Sequence, residues 1–287
     1  MANLKEIRSR ITSVGSTMQI TSAMKMVSAA KLKRAQDAIT RMRPYSNKLT
    51  ELLENLSANL DSSSTGKYTE KRDLKKILFV TISSNRGLCG GFNANIIKKT
   101  KDLIKNKYSK CSPYILSIGK KTSEHFAKNN FDIIKKSDEL FSDLTYNNVK
   151  EIAEFIMSAF IDKKFDKVIL VYNRFKNAAT QVVMSEKFLP LEQKKSNTNL
   201  SMDYLYEPSQ KQVVRELIPK SLKTQLFKAV LDSHASEHGA RMTAMHKATD
   251  NASELRDQLK LTYNKARQTA ITNEILEIVG GAEALNS

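Results

Sequence analysis

The chain of 287 residues has room for one large domain or two modest ones, and its 40% hydrophobic content is typical of a soluble globular protein. A formal net charge of +17 favours an anionic partner: nucleic acid, anionic lipid or an acidic protein surface. No apolar run is long enough to predict a membrane span, and the N-terminal stretch MANLKEIRSRI lacks the apolar core of a secretory signal.

The N-terminal segment, 1–60, is predicted to be one long helix with no glycine between Gly15 and Gly66. Its first apolar residues have the three- and four-residue spacing of a coiled-coil seam: Leu4, Ile7, Ile11, Val14 and Met18. Beyond them we expect the seam to slip in phase, with the next positions being Ala23, Val27, Ala30, Leu32, Ala35 and Ile39.

Basic residues dominate this N-terminal segment. Up to residue 43 they are Lys5, Arg8, Arg10, Lys25, Lys31, Lys33, Arg34, Arg41 and Arg43. Only Glu6 and Asp37 oppose them, and no aromatic side chain stands among them to stack on exposed bases. The pattern therefore favours an acidic protein surface as the partner.

The central segment, 74–205, is predicted to be an α/β domain. Strands are expected at 75–84, 114–119, 166–175 and 180–190, and helices at 94–110, 121–129 and 147–165. The last helix is expected to have an apolar face formed by Ile152, Phe155, Ile156, Ala159 and Phe160. This alternation predicts a Rossmann-like domain with a mainly parallel sheet, followed by a polar loop at 192–201.

The C-terminal segment, 209–287, is predicted to begin with a short helix near Ser209–Leu217 that Pro219 interrupts. A second long helix is then expected to run to about Val279 and to end at Gly280 and Gly281. The predicted fold is therefore α/β, with the two terminal helices paired as a long antiparallel coiled coil. The C-terminal helix should project beyond its partner and need other chains to stabilise it.

Residues with chemical potential are few. The turn RGLCGG follows a predicted strand and precedes a helix, as phosphate loops do, but its glycine spacing matches no phosphate-binding pattern. Cys89 could be a nucleophile at a helix N-terminus, although no histidine or acid accompanies it in the sequence. His234 and His238 have a spacing that could seat a metal, but two solvated side chains are the favoured interpretation. With only Cys89 and Cys111, a reducing compartment is expected, and we predict no catalytic, cofactor or metal site.

Two alternatives follow from the residues alone. One is a basic coiled-coil scaffold or nucleic-acid-binding protein, and the other is an enzyme whose ligand binds at the carboxyl ends of the strands, near Arg86.

Four separated motifs carry a family resemblance. The stretches MANLKEIRSRITSV…TMQITSAMKMVSAAKLKRAQ, NRGLCGGFN, SEHGARMTAMHKATDNASEL and LTYNKARQTAITNEILEIVGGAEAL resemble, in order, the gamma subunit of F-type ATP synthase. The resemblance implies a rotor shaft, one copy per complex, inside a ring of three alpha and three beta subunits. It places the α/β domain on the epsilon subunit and the membrane c-ring.

The same resemblance implies a non-catalytic subunit without a cofactor, because catalysis belongs to beta. It implies no nucleic-acid partner, no direct membrane insertion and a peripheral position on the cytoplasmic face of a bacterial inner membrane. The redox insert of the chloroplast form, with its paired cysteines, is absent, so thiol regulation is not expected.

Site residues are carried over by position within these motifs. Met24, Lys25 and Met26 resemble the segment that meets an acidic lever of beta, with Lys31 and Arg34 assisting and Arg241 supporting the contact. A loop at the top of the ring is expected to meet Arg267, Gln268, Thr272 and Glu274. The turn residues Arg86, Gly87, Cys89 and Gly90 match the family with no settled role. Three positions depart from the family pattern: Asn85, Gly239 and His246.

Overall fold

The structure is a computed structural model that describes residues 4–58, 66–70, 72–191, 207 and 210–286. The chain forms two compact units. Unit 1 combines Met1–Ser28 with Met242–Ser287, and unit 2 is Ala29–Arg241. The predicted division into 1–60, 74–205 and 209–287 follows chain segments instead, and it stays a prediction. The loop expected at 192–201 lies outside the described residues.

A five-stranded sheet forms the centre of unit 2. Its strands are β1 (Lys76–Ile82), β2 (Ser112–Ile118), β3 (Asp132–Lys136), β4 (Lys167–Phe175) and β5 (Gln181–Leu189). The order is β3-β2-β1-β4-β5, in which every pair is parallel except β4 with β5. The predicted mainly parallel, Rossmann-like arrangement is therefore confirmed.

Helices cover both faces of this sheet because its central strands are apolar on both sides. On β1, Leu78, Val80 and Ile82 join one core cluster, whereas Ile77 and Phe79 join the other. The first cluster includes residues of α5 (Tyr146–Ile161) and of α6 (Gln210–Asn286). The second includes residues of α3 (Phe92–Asp102) and α4 (Lys120–Lys128). A π-helical turn, Leu103–Lys107, extends α3, and short helical pieces lie at Gly66–Thr69 (α2) and Glu139–Phe141.

Two predictions for this domain are wrong. Strand β3 was not expected, because it is a short edge strand with only alternate residues half-buried, and so lacks a buried strand's apolar run. Phe155 is 36% exposed on α5, although the other four residues predicted for its apolar face are buried. The Lys135 ammonium lies 4.7 Å from the centre of the Phe155 ring, so a cation–π contact at the surface replaces core packing.

Helix α1 (Leu4–Ala58) buries a seam without the predicted phase slip. Ala23, Val27 and Ala30 are exposed. The seven-residue register instead continues without a slip and includes three polar residues. The buried series is Ile7, Thr21, Ser28, Leu32, Ala35, Ile39, Ser46 and Leu49. Thr21 and Ser28 can occupy seam positions because their hydroxyls donate to carbonyls of their own helix, Thr21 to Thr17 at 3.0 Å and Ser28 to Met24 at 2.7 Å.

Helix α6 is continuous over 77 residues, so the predicted interruption and ending are both wrong. Pro219 lies inside the helix and has no N–H to donate to the carbonyl of Arg215, four residues earlier. Because Arg215 is exposed, water can satisfy that carbonyl and the helix continues. The helix also continues through Gly280 and Gly281 to Asn286, since a glycine weakens a helix without blocking its hydrogen bonds.

Contacts between α1 and α6 occur in each unit. In unit 2, Arg43 lies 3.0 Å from Asp232, while Lys31, earlier on α1, lies within electrostatic range of Glu237, later on α6. The two helices therefore run antiparallel there. In unit 1, the hydroxyls of Thr21 and Thr249 are 2.8 Å apart.

The distal part of α6 is unlike the paired part. Its apolar side chains are largely exposed: Ile271, Ile275, Leu276, Ile278 and Val279. This exposure agrees with the expectation that other chains must stabilise the end of this helix. Among the described residues, no helix has the length and apolarity needed to span a membrane.

Two glycines give a matched test of the fold. Gly119 has a φ of +105°, and a Cβ there would lie 2.3 Å from the carbonyl oxygen of Ser83, whereas Gly15 is helical with nothing within 4 Å. We expect Gly119→Ala to lower the free energy of unfolding by about 3 kcal/mol, and Gly15→Ala to raise it by about 1 kcal/mol. Urea unfolding of the full chain measures both. Equal stability of the two variants would contradict the conformation of Gly119.

Candidate functional site

An exposed, partly apolar surface marks α1 in unit 1. Met26 is 64% exposed and Val27 is 57% exposed, while Met24 and Lys25 are half-buried beside them. Exposed apolar side chains that adjoin one another are characteristic of contact sites. Methionine adds flexibility, since its unbranched side chain adapts to different neighbours.

Two further predicted contact residues lie on α1 in unit 2. Lys31 and Arg34 are both exposed, and Lys31 also lies within electrostatic range of Glu237 on α6. Their charges are therefore available to a partner.

The predicted residues of distal α6 are also exposed. Arg267, Gln268, Thr272 and Glu274 lie in solvent, and the Thr272 hydroxyl donates to the Gln268 carbonyl at 2.9 Å. The apolar residues of distal α6 stand among them, so charged, polar and apolar contacts are all offered by one helical surface.

The turn between β1 and α3, residues 85–91, presents its side chains in two directions. Arg86 is exposed and Leu88 is 64% exposed, whereas Cys89 is 2% exposed. Leu88 has a φ of 60° and Gly90 a φ of 57°. A left-handed conformation costs a residue with a Cβ about 1–2 kcal/mol, so surrounding contacts must maintain the conformation of Leu88.

Arg241 on α6 supplies those contacts. Its Nη2 donates to the carbonyl oxygens of Arg86 at 3.0 Å and Gly87 at 3.2 Å. Its Nη1 donates to Glu237 Oε1 at 2.7 Å, one helical turn earlier. Arg241 is 8% exposed, and these hydrogen bonds direct its guanidinium at the turn of its own chain. Its assignment as a residue that supports the contact of α1 with beta stays a prediction.

Side chains at the end of β1 complete the support of the turn. The Ser84 hydroxyl donates to the Arg86 carbonyl at 2.6 Å. The Asn93 amide nitrogen lies 2.8 Å from the Ser84 hydroxyl and 3.2 Å from Cys89 Sγ, while its oxygen accepts from the Ser84 amide at 3.0 Å. Hydrogen bonds from the residue after β1, from α3 and from α6 therefore stabilise the conformation of the turn.

This arrangement does not suit phosphate binding or nucleophilic chemistry. A phosphate loop directs backbone N–H groups at its ligand, whereas this turn directs two carbonyl oxygens at Arg241. Burial raises the pKa of the Cys89 thiol despite its hydrogen bond with Ser84, so the nucleophilic thiolate is disfavoured.

The two neighbouring histidines are not solvated, so that interpretation is wrong. His238 is 6% exposed, His234 is half-buried, and their Nε2 atoms lie 3.1 Å apart. Burial lowers the pKa of His234 to about 4 and that of His238 to about 3, which keeps both rings neutral at physiological pH. Within the described part of the chain, no group of three or more candidate ligands could hold a metal ion. His246, on the exposed surface of unit 1, pairs instead with Asp250 at 3.0 Å.

Sequence reasoning overlooked Leu88 and Glu237. The sequence shows Leu88 only as an apolar residue inside a glycine-rich turn. Its exposure and its positive φ cannot be read from the sequence. Glu237 stands four residues before Arg241, a spacing that allows an ion pair on a helix and could have been noticed.

Comparisons with known proteins identify the family. A family model described as ATP synthase matches residues 3–285. The ATP synthase gamma chain of Christiangramia forsetii is 63% identical over 286 residues and covers 100% of both chains. The ATP synthase gamma chain of Flavobacterium psychrophilum is 62% identical and covers 99% of both. The chain belongs to the ATP synthase gamma-chain family, as the sequence resemblance indicated.

Solved structures share the fold. A chain of the Tetrahymena thermophila mitochondrial ATP synthase central stalk and c-ring superposes with a TM-score of 0.61 at 28% identity, covering 80% of this chain and 99% of that one. A chain of the Euglena gracilis mitochondrial ATP synthase superposes with a TM-score of 0.70 at 21% identity, covering 98% and 94% respectively.

The two cysteines should differ in reactivity. Cys111 is partly exposed, whereas Cys89 is buried with a raised pKa, so we expect a maleimide at pH 7 to modify Cys111 first and Cys89 only on unfolding. Mass spectrometry of native and urea-treated chains measures the order. Equal labelling rates in the native chain would show that the turn at Cys89 is open.

Proposed function

We propose that this chain is the central-stalk rotor subunit of an ATP synthase, transmitting torque between proton flow through a membrane c-ring and the catalytic subunits. The observation that carries the proposal is the match to the gamma-chain family over nearly the whole chain. The exposed contact residues on α1 and α6 support it, because these side chains are available to surrounding subunits.

The partners we propose are three alpha and three beta subunits around the paired helices, with the epsilon subunit and the c-ring beside the α/β domain. Catalysis is assigned to beta. Two observations support a non-catalytic role for this chain. Arg241 donates a hydrogen bond to the carbonyl of Arg86 in the turn, and burial raises the pKa of Cys89, which disfavours its thiolate. We place the assembled complex, with one copy of this chain, on the cytoplasmic face of a bacterial inner membrane.

Torque transmission needs an asymmetric surface whose contacts remain interchangeable. The side chains differ from one side of the helix pair to another, so each rotation angle of the pair stabilises a different conformation of a given beta subunit. Rotation therefore shifts the populations of those conformations. Lys31 and Arg34 contribute long-range attraction to acidic loops, which tolerates rotation better than close apolar packing does. Met26 contributes an adaptable apolar contact.

The two alternatives have less support. A nucleic-acid-binding protein would use the net charge of +17 directly. We propose instead that the basic residues of α1 contact acidic surfaces of partner subunits, and the membership of the chain in the gamma-chain family supports this. An enzyme with a ligand near Arg86 would need space and N–H donors at the end of β1, where Ser84, Asn93 and Arg241 form hydrogen bonds with one another or with the turn.

Reconstitution tests the proposal. We expect no ATP hydrolysis by the purified chain, but a severalfold increase in steady-state hydrolysis when it is added to alpha and beta subunits. Rotation would then release product from each beta in turn. Hydrolysis by the chain alone, or DNA binding with a steep salt dependence and no effect on alpha and beta, would favour one of the alternatives.

A charge added at Met24 tests the contact assignment. We expect Met24→Lys to over-stabilise one rotor angle against the acidic lever of beta, lowering proton pumping per ATP severalfold with little effect on folding. Asn47→Lys, at an exposed position on α1 in unit 2, adds the same charge elsewhere and should leave pumping unchanged. Acidification of inverted membrane vesicles relative to ATP hydrolysed is the measurement. Native efficiency in Met24→Lys would remove Met24 from the contact.

A further inference from the structure

We infer that His234 and His238 form a binding site for one first-row transition-metal ion, with Zn²⁺ and Cu²⁺ as the ions that fit it. The two imidazoles supply two ligands through Nε2, and water supplies the others. The sequence alone favoured no metal site, so the inference comes from the positions of the two rings in the structure. It does not depend on the proposed function.

The two Nε2 atoms have the separation of two ligands of one ion. They lie 3.1 Å apart, and the planes of the two rings are 84° apart. Two nitrogen ligands about 2.1 Å from a metal ion are roughly 3.0 Å apart at a right angle and roughly 3.4 Å apart in a tetrahedral arrangement. The four-residue spacing places both rings on one side of α6, as in helical histidine pairs that bind zinc.

Contacts with the rest of unit 2 restrict both rings. Phe141, in the short helical piece after β3, stacks on His234 with ring centres 5.8 Å apart and planes 13° apart. His238 is 6% exposed, so its neighbours limit its rotation. Ligands that are already restricted lose less conformational entropy when they bind. His234 is only half-buried, which gives an ion and its water ligands access to the pair.

Hydrogen bonding alone does not account for His238. Its Nδ1 is buried and has no hydrogen-bond partner among the described residues. If Nε2 carries the hydrogen, Nδ1 is an unpaired acceptor, and if Nδ1 carries the hydrogen, it is an unpaired donor. Buried polar atoms usually have a partner, so each exception needs an explanation. Metal binding gives His238 a role that requires only its Nε2.

The charges around the pair select the type of ion. Lys31 and Arg241 lie within electrostatic range of both rings and oppose an ion that is held by charge alone. Among the described residues, no carboxylate joins the pair as a third ligand. Mg²⁺ and Ca²⁺ need oxygen ligands, whereas Zn²⁺ and Cu²⁺ form strong bonds with imidazole nitrogen. The site is therefore expected to bind the second group and not the first.

Metal titration of the full chain, purified without added histidines, tests the site. We expect calorimetry to show one Zn²⁺ bound per chain with a micromolar Kd that millimolar Mg²⁺ does not change. His234→Gln and His238→Gln should each weaken binding by roughly tenfold or more, because a single imidazole remains. His246→Gln, at an exposed position on the same helix, is the matched control and should bind as the native chain does. Several equivalent ions, or a loss in His246→Gln, would overturn the inference.

Copper distinguishes a two-histidine site from binding by one ring. Pulsed EPR of the native chain loaded with one Cu²⁺ should show two coordinated imidazoles. In His234→Gln, at a copper concentration that restores occupancy, it should show one. A single coordinated imidazole in the native chain, or two in His234→Gln, would exclude the pair as the site.

A measurement on the native chain covers loss of folding in the variants. We expect Zn²⁺ at about ten times its Kd to slow acylation of His234 by diethylpyrocarbonate roughly tenfold, because the coordinated nitrogen is blocked. Acylation of the exposed His246 should keep its rate. Mass spectrometry of the digested chain reports both residues. No protection of His234, or equal protection of the two histidines, would contradict the inference without any substitution.

Discussion

The structure depends on a narrow buried seam along α1. One line of side chains is buried at a seven-residue repeat, while most of the remaining surface is exposed. In unit 1 the seam includes Thr21, whose hydroxyl meets that of Thr249. Small polar side chains bury little apolar area, so each such seam residue contributes only modestly to the stability of the helix pair. The benefit is a thin helix pair, because large apolar side chains would need a wider surface to cover them.

Small residues serve a different purpose in unit 2. Between Ala229 and Arg241, α6 is buried on nearly every side, and only His234 is half-buried. The Ser236 hydroxyl donates to the Asn173 carbonyl at 3.0 Å, and a Cβ on Gly239 would lie 3.2 Å from the Ala178 carbonyl oxygen. Here a small side chain lets the helix backbone approach the sheet, so the same composition has two physical causes along one helix.

Sequence patterns were sufficient where burial is strong and continuous. The apolar runs of β1 and β4 predicted strands, and the long stretch without glycine between Gly15 and Gly66 predicted α1. They failed where the surroundings of a residue, either solvent or a tertiary contact, override its local preference. Pro219 continues a helix because solvent can satisfy the carbonyl of Arg215, and Thr21 and Ser28 occupy seam positions that an apolar pattern cannot identify. In the candidate site, the family resemblance was enough to select exposed residues such as Lys31. It could not predict the hydrogen bonds between Arg241 and the turn, because they join residues about 155 positions apart and depend on the fold.

The groups that suggest chemistry in the sequence are occupied by structural contacts. The glycine-rich turn directs its carbonyls at Arg241, burial raises the pKa of Cys89, and burial lowers the pKa of His238 so that its imidazole stays uncharged. Each of these three groups is held in a form that favours packing. At the surface of the described residues, side chains such as Met26 and Lys31 offer apolar contact and charge to other molecules. A subunit built in this way can change its neighbours' conformations by presenting different surfaces to them, which is what a rotor requires.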